Sequence, residues 1–145
     1  MTMSSNESVL RWERKWSESR LVRRAPADQP AAWRRLELAE LNVARATREQ
    51  VAGDTDAALI FAEQALINAA DAVLGRDGYS ANSHVARFSY PLLPAVYVSE
   101  RGLIDRIRSS RNTAQYDASG KVPVGLAGQA IQLAERAVRE VRERL

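Results

Sequence analysis

The stretch RIRSSRNTAQYD, residues 106–117, gathers three arginines, an asparagine, a glutamine and a tyrosine into a few helical turns. Guanidinium forks match the oxygens of a phosphate group, and hydrogen bonds to an ionised partner are stronger than neutral ones. On an ideal helix Arg108, Arg111 and Gln115 fall within a sector of about 60°, with Ile104 among them, beside the inner face. Arg101, Asp105 and Asn112 lie further round. Arg111 and Tyr116 are five residues apart, which leaves them about 140° from one another on a regular helix. They meet at one atom only if the helix ends before Tyr116 or a second copy of the chain completes the site. An ordinary explanation stands beside this one. Arginines near a helix C-terminus complement its dipole, Arg101 and Asp105 have the spacing of an i,i+4 pair, and tyrosines often cap a core with the hydroxyl wet.

The elements that must carry these side chains are helical. Apolar residues recur at helical spacing almost throughout, and strand signals are nearly absent. The expected fold is all-α, an up-and-down bundle of four main helices plus a short proline-broken helix and an N-terminal helical arm. Residues 1–27 form the basic arm and 28–145 the bundle domain. One helix begins at Asp28-Gln29-Pro30 and runs to Gly53, with Ala32, Leu36, Ala39, Val43 and Ala46 on one face. The next opens at 54–56 and closes at Gly75. It is apolar nearly all round, broken mainly by Glu63, Gln64, Asn68 and Asp71, which places it at the centre. The short connection makes these two an antiparallel hairpin.

GRDGYSANS, residues 75–83, reads as a turn. A short helix from Ser83-His84 is stopped by Pro91 and Pro94. A fourth segment spans about 95–116, with Leu103, Ile107, Ser110 and Ala114 inward. The loop 117–125 leads to a last helix from about Leu126, lined by Ala127, Ala130, Ile131, Ala134, Val138, Val141 and Leu145. Its opposite face offers Glu135/Arg139 and Glu140/Arg144 as solvated pairs.

Length and composition set limits. A chain of 145 residues fits one domain with a core of its own. Cysteine is absent and His84 is the sole histidine, which excludes disulfides, thiol nucleophiles and a multi-histidine zinc site. No metal or cofactor is expected. The seven glycines form neither a P-loop nor a dinucleotide fingerprint. The N-terminal stretch does not resemble a secretory signal, and no run reaches the ~18 apolar residues of a membrane span. The expectation is a soluble, cytoplasmic protein without a membrane partner.

The net charge of +3 is unevenly placed. Residues 1–27 hold six cations against three anions, while the rest balances at fifteen of each sign. Arg11, Arg14 and Lys15 of the arm are therefore candidate RNA contacts, with Trp12 and Trp16 able to stack on bases. The alternative is that the two tryptophans latch onto the bundle or a partner subunit, which their large apolar area favours.

RSSRNTAQYD at the end of a penultimate helix, followed by a loop and a long final helix, resembles the HEPN domains. FAEQALINAADAVLGRDGYSANSH is similar to that family's central alanine-rich helix, its Gly-Tyr turn and the Ser-His start of the next helix. The resemblance covers roughly residues 30–145. It implies a helical bundle that dimerises and has RNA as its usual target. Active members resemble metal-independent ribonucleases that use an arginine, four to six residues, then a histidine, with two copies meeting across the dimer. Mapped onto this chain, the arginine is Arg111 and the polar residue after it Asn112. The histidine position is Tyr116, Asp117 or Ala118, none of which is histidine. Arg111 can still stabilise a crowded phosphate. Tyrosine, with a pKa near ~10, is a poor base at neutral pH, though it can donate a proton or stack on a base. His84 is the other candidate base; a histidine starting a helix also has an ordinary turn-forming role.

Three functions follow as expectations. The first is a HEPN-like dimeric module binding RNA or a nucleotide, belonging to a toxin–antitoxin or phage-defence system. Its candidate site comprises Arg111, Asn112 and Tyr116 with Arg108, Gln115, Arg11, Arg14 and Lys15 as RNA contacts. The second is a metal-independent endoribonuclease with a composite dimer site. The third is a scaffold that partners a nucleotidyltransferase. Whether the chain is an enzyme is left open by the missing histidine.

Overall fold

A computed structural model describes residues 4–116 and 122–145, without the side chains of 113–116. The expectations for the side chains of Ala114, Gln115 and Tyr116, and for residues 117–121, lie outside the described residues. The protein is an all-α helical bundle with one small two-stranded ribbon. In chain order the elements are α1 (Ser5–Ser17), β1 (Val22–Arg24), α2 (Gln29–Val51), α3 (Thr55–Asp77) and β2 (Tyr79–Ala81). There follow α4 (His84–Phe88), α5 (Val96–Ser99), α6 (Arg101–Tyr116) and α7 (Val124–Arg144).

Local chemistry sets the helix ends. Asp28 Oδ1 accepts the Ala31 N–H at 2.9 Å, with Pro30 in the first turn of α2. Asp54 does the same for α3, accepting from Ala57 at 3.0 Å. Each carboxylate satisfies an N–H that the helix itself leaves unpaired. Residues 52–54 reverse the chain, and α2 packs along α3. The paired helices bring fully buried alanines to the core, Ala32, Ala39 and Ala46 from α2 and Ala58, Ala62, Ala65 and Ala69 from α3. Side chains this small let two helix backbones approach closely. The helix α7 covers both with Ala127, Ala130, Ala134 and Val141.

The central helix α3 is the one described helix long and apolar enough to cross a membrane; most of that surface is buried by its neighbours. It contacts α2, α4, α6 and α7. Its few polar residues are not scattered. Asn68 Oδ1 accepts from Asn42 of α2 at 2.8 Å, Asp71 pairs with Arg87 of α4 at 2.7 Å, and Glu63 pairs with Arg111 of α6 at 2.9 Å. A buried polar group left alone costs more than a paired one returns, so each contact fixes one neighbour against α3.

Several boundaries differ from the sequence reading. Gly75 does not end α3; the helix continues to Asp77, and Gly78 takes the left-handed conformation (φ 89°) that stops it. Gly75 lies within the helix with the Arg35 guanidinium over it, where a Cβ would displace the end of that flexible side chain. Part of the supposed turn 75–83 is strand: Tyr79–Ala81 pairs antiparallel with Val22–Arg24, Arg23 opposite Ser80. Three-residue strands lie below the length at which alternation is legible. The segment 95–116 is broken at Glu100 into α5 and α6. On α7 the i,i+4 ion pair is Arg136–Glu140, and Arg142 pairs with Glu40 of α2. Among the described residues Glu135/Arg139 and Glu140/Arg144 form no such pair.

Candidate functional site

The N-terminal helix is docked, and that docking makes a cleft. Trp12 is buried, and its indole Nε1–H donates to the Ala86 carbonyl of α4 at 2.9 Å. Its ring lies edge-on to Tyr79 and Tyr90, with centroids at 5.2 and 4.7 Å. Glu13, one residue on, accepts from the Tyr79 hydroxyl at 2.8 Å and from Arg24 of β1 at 2.5 Å. The Arg24 guanidinium holds the Glu13 carboxyl below the usual carboxylate range.

With α1 so placed, a cleft of about 370 Å³ opens between α1, α4 and α6. Lys15 and Trp16 line it from α1, His84 and Phe88 from α4. The α6 wall consists of Arg101, Ile104, Asp105 and Arg108. These four recur at i, i+3, i+4 and i+7, so one helix face carries them all. Ile104 is buried at the floor while Arg101 and Asp105 are exposed. The Lys15 ammonium stands 4.9 Å over the Trp16 ring. Although Arg101 and Asp105 have helical pair spacing, no ion pair joins them among the described residues, nor does one join Asp105 to Arg108.

His84 is held from behind. Arg87 is buried and reaches three acceptors: Asp71 at 2.7 Å, the Ala81 carbonyl at 2.8 Å and His84 Nδ1 at 3.1 Å. A guanidinium only donates, so Nδ1 accepts and the ring proton resides on Nε2. Burial, reinforced by Arg87, Arg108 and Arg111, lowers the His84 pKa to about 4. The imidazole stacks on Phe88 (6.0 Å), and Phe88 on Tyr97 (5.7 Å). At neutral pH this histidine is an uncharged hydrogen-bond donor, which suits contact with an oxygen and disfavours proton abstraction.

Arg111 has a different address. Its Nε lies 2.9 Å from Oε1 of Glu63, off the line of an aligned hydrogen bond, so the attraction is chiefly coulombic. The Glu63 side chain is 3% exposed and that of Arg111 25%. Burial raises the Glu63 pKa, opposed by Arg111 and Arg108. Arg111 therefore faces the core through Nε and keeps only part of its surface for a ligand.

The candidates named from sequence thus separate. Lys15 and Arg108 come together in the cleft, Arg111 lies deeper beside Glu63, and Asn112 is exposed. Arg11 and Arg14 are exposed on α1 and do not line the cleft. The α6 backbone stays helical through Tyr116. Trp16, Phe88, Arg101 and Asp105 were not singled out as a group with Arg108. A usable signal existed for Glu63 and Asp71, since isolated acids in a nearly all-apolar helix demand buried cationic partners. Among the described residues no acid–histidine cluster could hold a metal. No family model, curated protein or solved structure matches the chain. The structure therefore defines its class, an all-α helical bundle.

Proposed function

We propose that this chain is a HEPN-like dimeric module that binds RNA or a nucleotide, working in the cytoplasm within a toxin–antitoxin or phage-defence system. The observation that carries the reading is the cleft between α1, α4 and α6. There Lys15, Arg101 and Arg108 border the rings of Trp16, His84 and Phe88. Cations for the phosphodiester and flat rings for the bases are what a single strand requires. Arg108 and Lys15 hold the phosphate, and the His84 Nε2–H adds a neutral donor. The dimer brings a second copy's cations to the same strand.

The endoribonuclease alternative is less well supported. The proton carrier it needs is missing from the motif, and His84 has its lone pair at Nδ1 engaged by Arg87.

A fluorescently labelled, mixed-sequence single-stranded RNA of a dozen nucleotides, titrated by anisotropy in EDTA, tests the reading. Binding is expected to weaken steeply with salt, and Lys15→Ala or Arg108→Ala to flatten the log–log salt slope by about 0.7 each. No binding at low salt, or binding indifferent to both substitutions, would overturn it. Cleavage of the RNA in EDTA, lost with Arg108→Ala, would move the assignment to the endoribonuclease.

A further inference from the structure

The cleft contains one group that phosphate binding does not explain. Asp105 stands on the same α6 face as Arg101 and Arg108, one turn from each, and is ion-paired to neither. A carboxylate amid cations weakens the grip on a phosphate by simple repulsion. It has a purpose if the ligand also brings hydrogen-bond donors.

We infer that the cleft selects guanine, with the Asp105 carboxylate accepting from the base's Watson–Crick edge. This rests on the RNA- or nucleotide-binding reading and names the base that the site takes. An ionised carboxylate accepts through two oxygens and cannot donate. Among the four RNA bases, guanine alone offers two adjacent donors on that edge, N1–H and the 2-amino group. Adenine and cytosine set an acceptor beside their amino group, and uracil sets acceptors on both sides of its single N–H. Each of those would bring a lone pair against a carboxylate oxygen.

The rest of the cleft agrees. The Trp16 ring borders the cleft, and His84, the end ring of the stack with Phe88 and Tyr97, gives the base a stacking surface. Lys15, Arg101 and Arg108 remain for the phosphate. The volume of about 370 Å³ lies at the small end of the ~300–1,000 Å³ typical of ligand pockets, which suits a single nucleotide.

Equilibrium dialysis of the full chain against the 5′-monophosphates of guanosine, adenosine, cytidine and uridine tests this directly. Guanosine monophosphate is expected to bind about tenfold or more tighter than the others. Inosine monophosphate, which keeps N1–H but lacks the 2-amino group, falls between. In Asp105→Asn the side chain presents one acceptor and one donor, a pair that every base can match, so the preference for guanosine monophosphate should fall toward equality with the other three. Asp105 is exposed, and circular dichroism checks that the variant keeps its helices. Equal affinity for all four nucleotides, or a guanine preference undiminished in Asp105→Asn, would overturn the inference and leave the RNA-binding reading standing. Failure of every nucleotide and of the labelled RNA would overturn both.

Discussion

Replacing Arg111 by alanine strips a buried carboxylate of its counter-charge. Glu63 is almost wholly enclosed, and Arg111 is its ion-pair partner at 2.9 Å. Two charges about 4 Å apart attract by about 4 kcal/mol at the effective dielectric constant of ~20 that suits protein sites. The guanidinium is one-quarter exposed and poorly aligned, which reduces this to about 2–3 kcal/mol. A second consideration caps the loss. The variant can protonate Glu63, which from an ordinary carboxyl pKa of 4.5 costs about 3.4 kcal/mol at neutral pH.

Arg111→Ala is therefore expected to lose about 2–3 kcal/mol at pH 7 and about 4–12 °C in Tm. The sign of its pH dependence follows from the raised Glu63 pKa. Below 4.5 the carboxyl is protonated in folded and unfolded chains alike and the penalty vanishes. As pH rises through the folded value the unfolded state ionises more readily, and the variant falls further behind. Urea denaturation of the parent, Arg111→Ala and Arg111→Ala/Glu63→Gln at pH 4.5 and 7 measures all of this. The double variant should recover most of the loss at pH 7. A single variant within about 0.5 kcal/mol of the parent, the same deficit at both pH values, or a double variant no better than the single would refute the reasoning. The point bears on function too, since RNA binding lost with Arg111→Ala reports on folding as much as on contact.

Trp12→Ala removes the hydrogen bond to Ala86 and the edge contacts to Tyr79 and Tyr90. It should cost about 3–5 kcal/mol, the range for deleting a buried tryptophan, and release Lys15 and Trp16 from the cleft. Denaturation and RNA anisotropy read the two effects, and RNA binding unchanged in a chain that still folds would contradict the role given to α1. His84, held near 4 against an ordinary 6.5, makes the unfolded chain the stronger proton acceptor between those values. Stability is then full above about pH 6.5 and declines toward pH 4, by about 1–2 kcal/mol once solvent screening of the part-open ring is allowed for. The decline should disappear in His84→Gln. An anion bound in the cleft offsets Arg108 and Arg111, so phosphate is expected to raise the His84 pKa, an effect visible in the ring's NMR titration.

Much of the architecture was legible because its signals are local. Asp28 with Pro30 and Asp54 announce helix starts through groups within four residues, and the near absence of polar surface in 57–74 identifies a central helix. The alanine stripes of the second and last helices follow from spacing alone. What was illegible depends on residues distant in the chain. Gly75 and Gly78 look alike as terminators until the Arg35 guanidinium is seen to occupy the space above the first. Val22–Arg24 becomes a strand only because Tyr79–Ala81 lies beside it. Arg108 and Arg111 share one sector of the helical wheel, yet Arg111 meets Glu63 while Arg108 reaches the cleft. The two tryptophans of the basic segment 1–27 favoured packing onto the bundle or a partner subunit, but did not say which one docks or where: the Trp12 indole and the Glu13 carboxylate tie the segment to α4, β1 and β2.

The docking of α1 has a consequence for biosynthesis. The helix α1 is synthesised ahead of its anchoring points, Tyr79, Ala86 and Tyr90, and meets them only some seventy residues later. Until then the nascent chain carries an indole with nothing to cover it, the kind of greasy surface that invites chaperones or self-association. Closing so long a loop late makes the N-terminal segment a natural candidate for the last piece to settle.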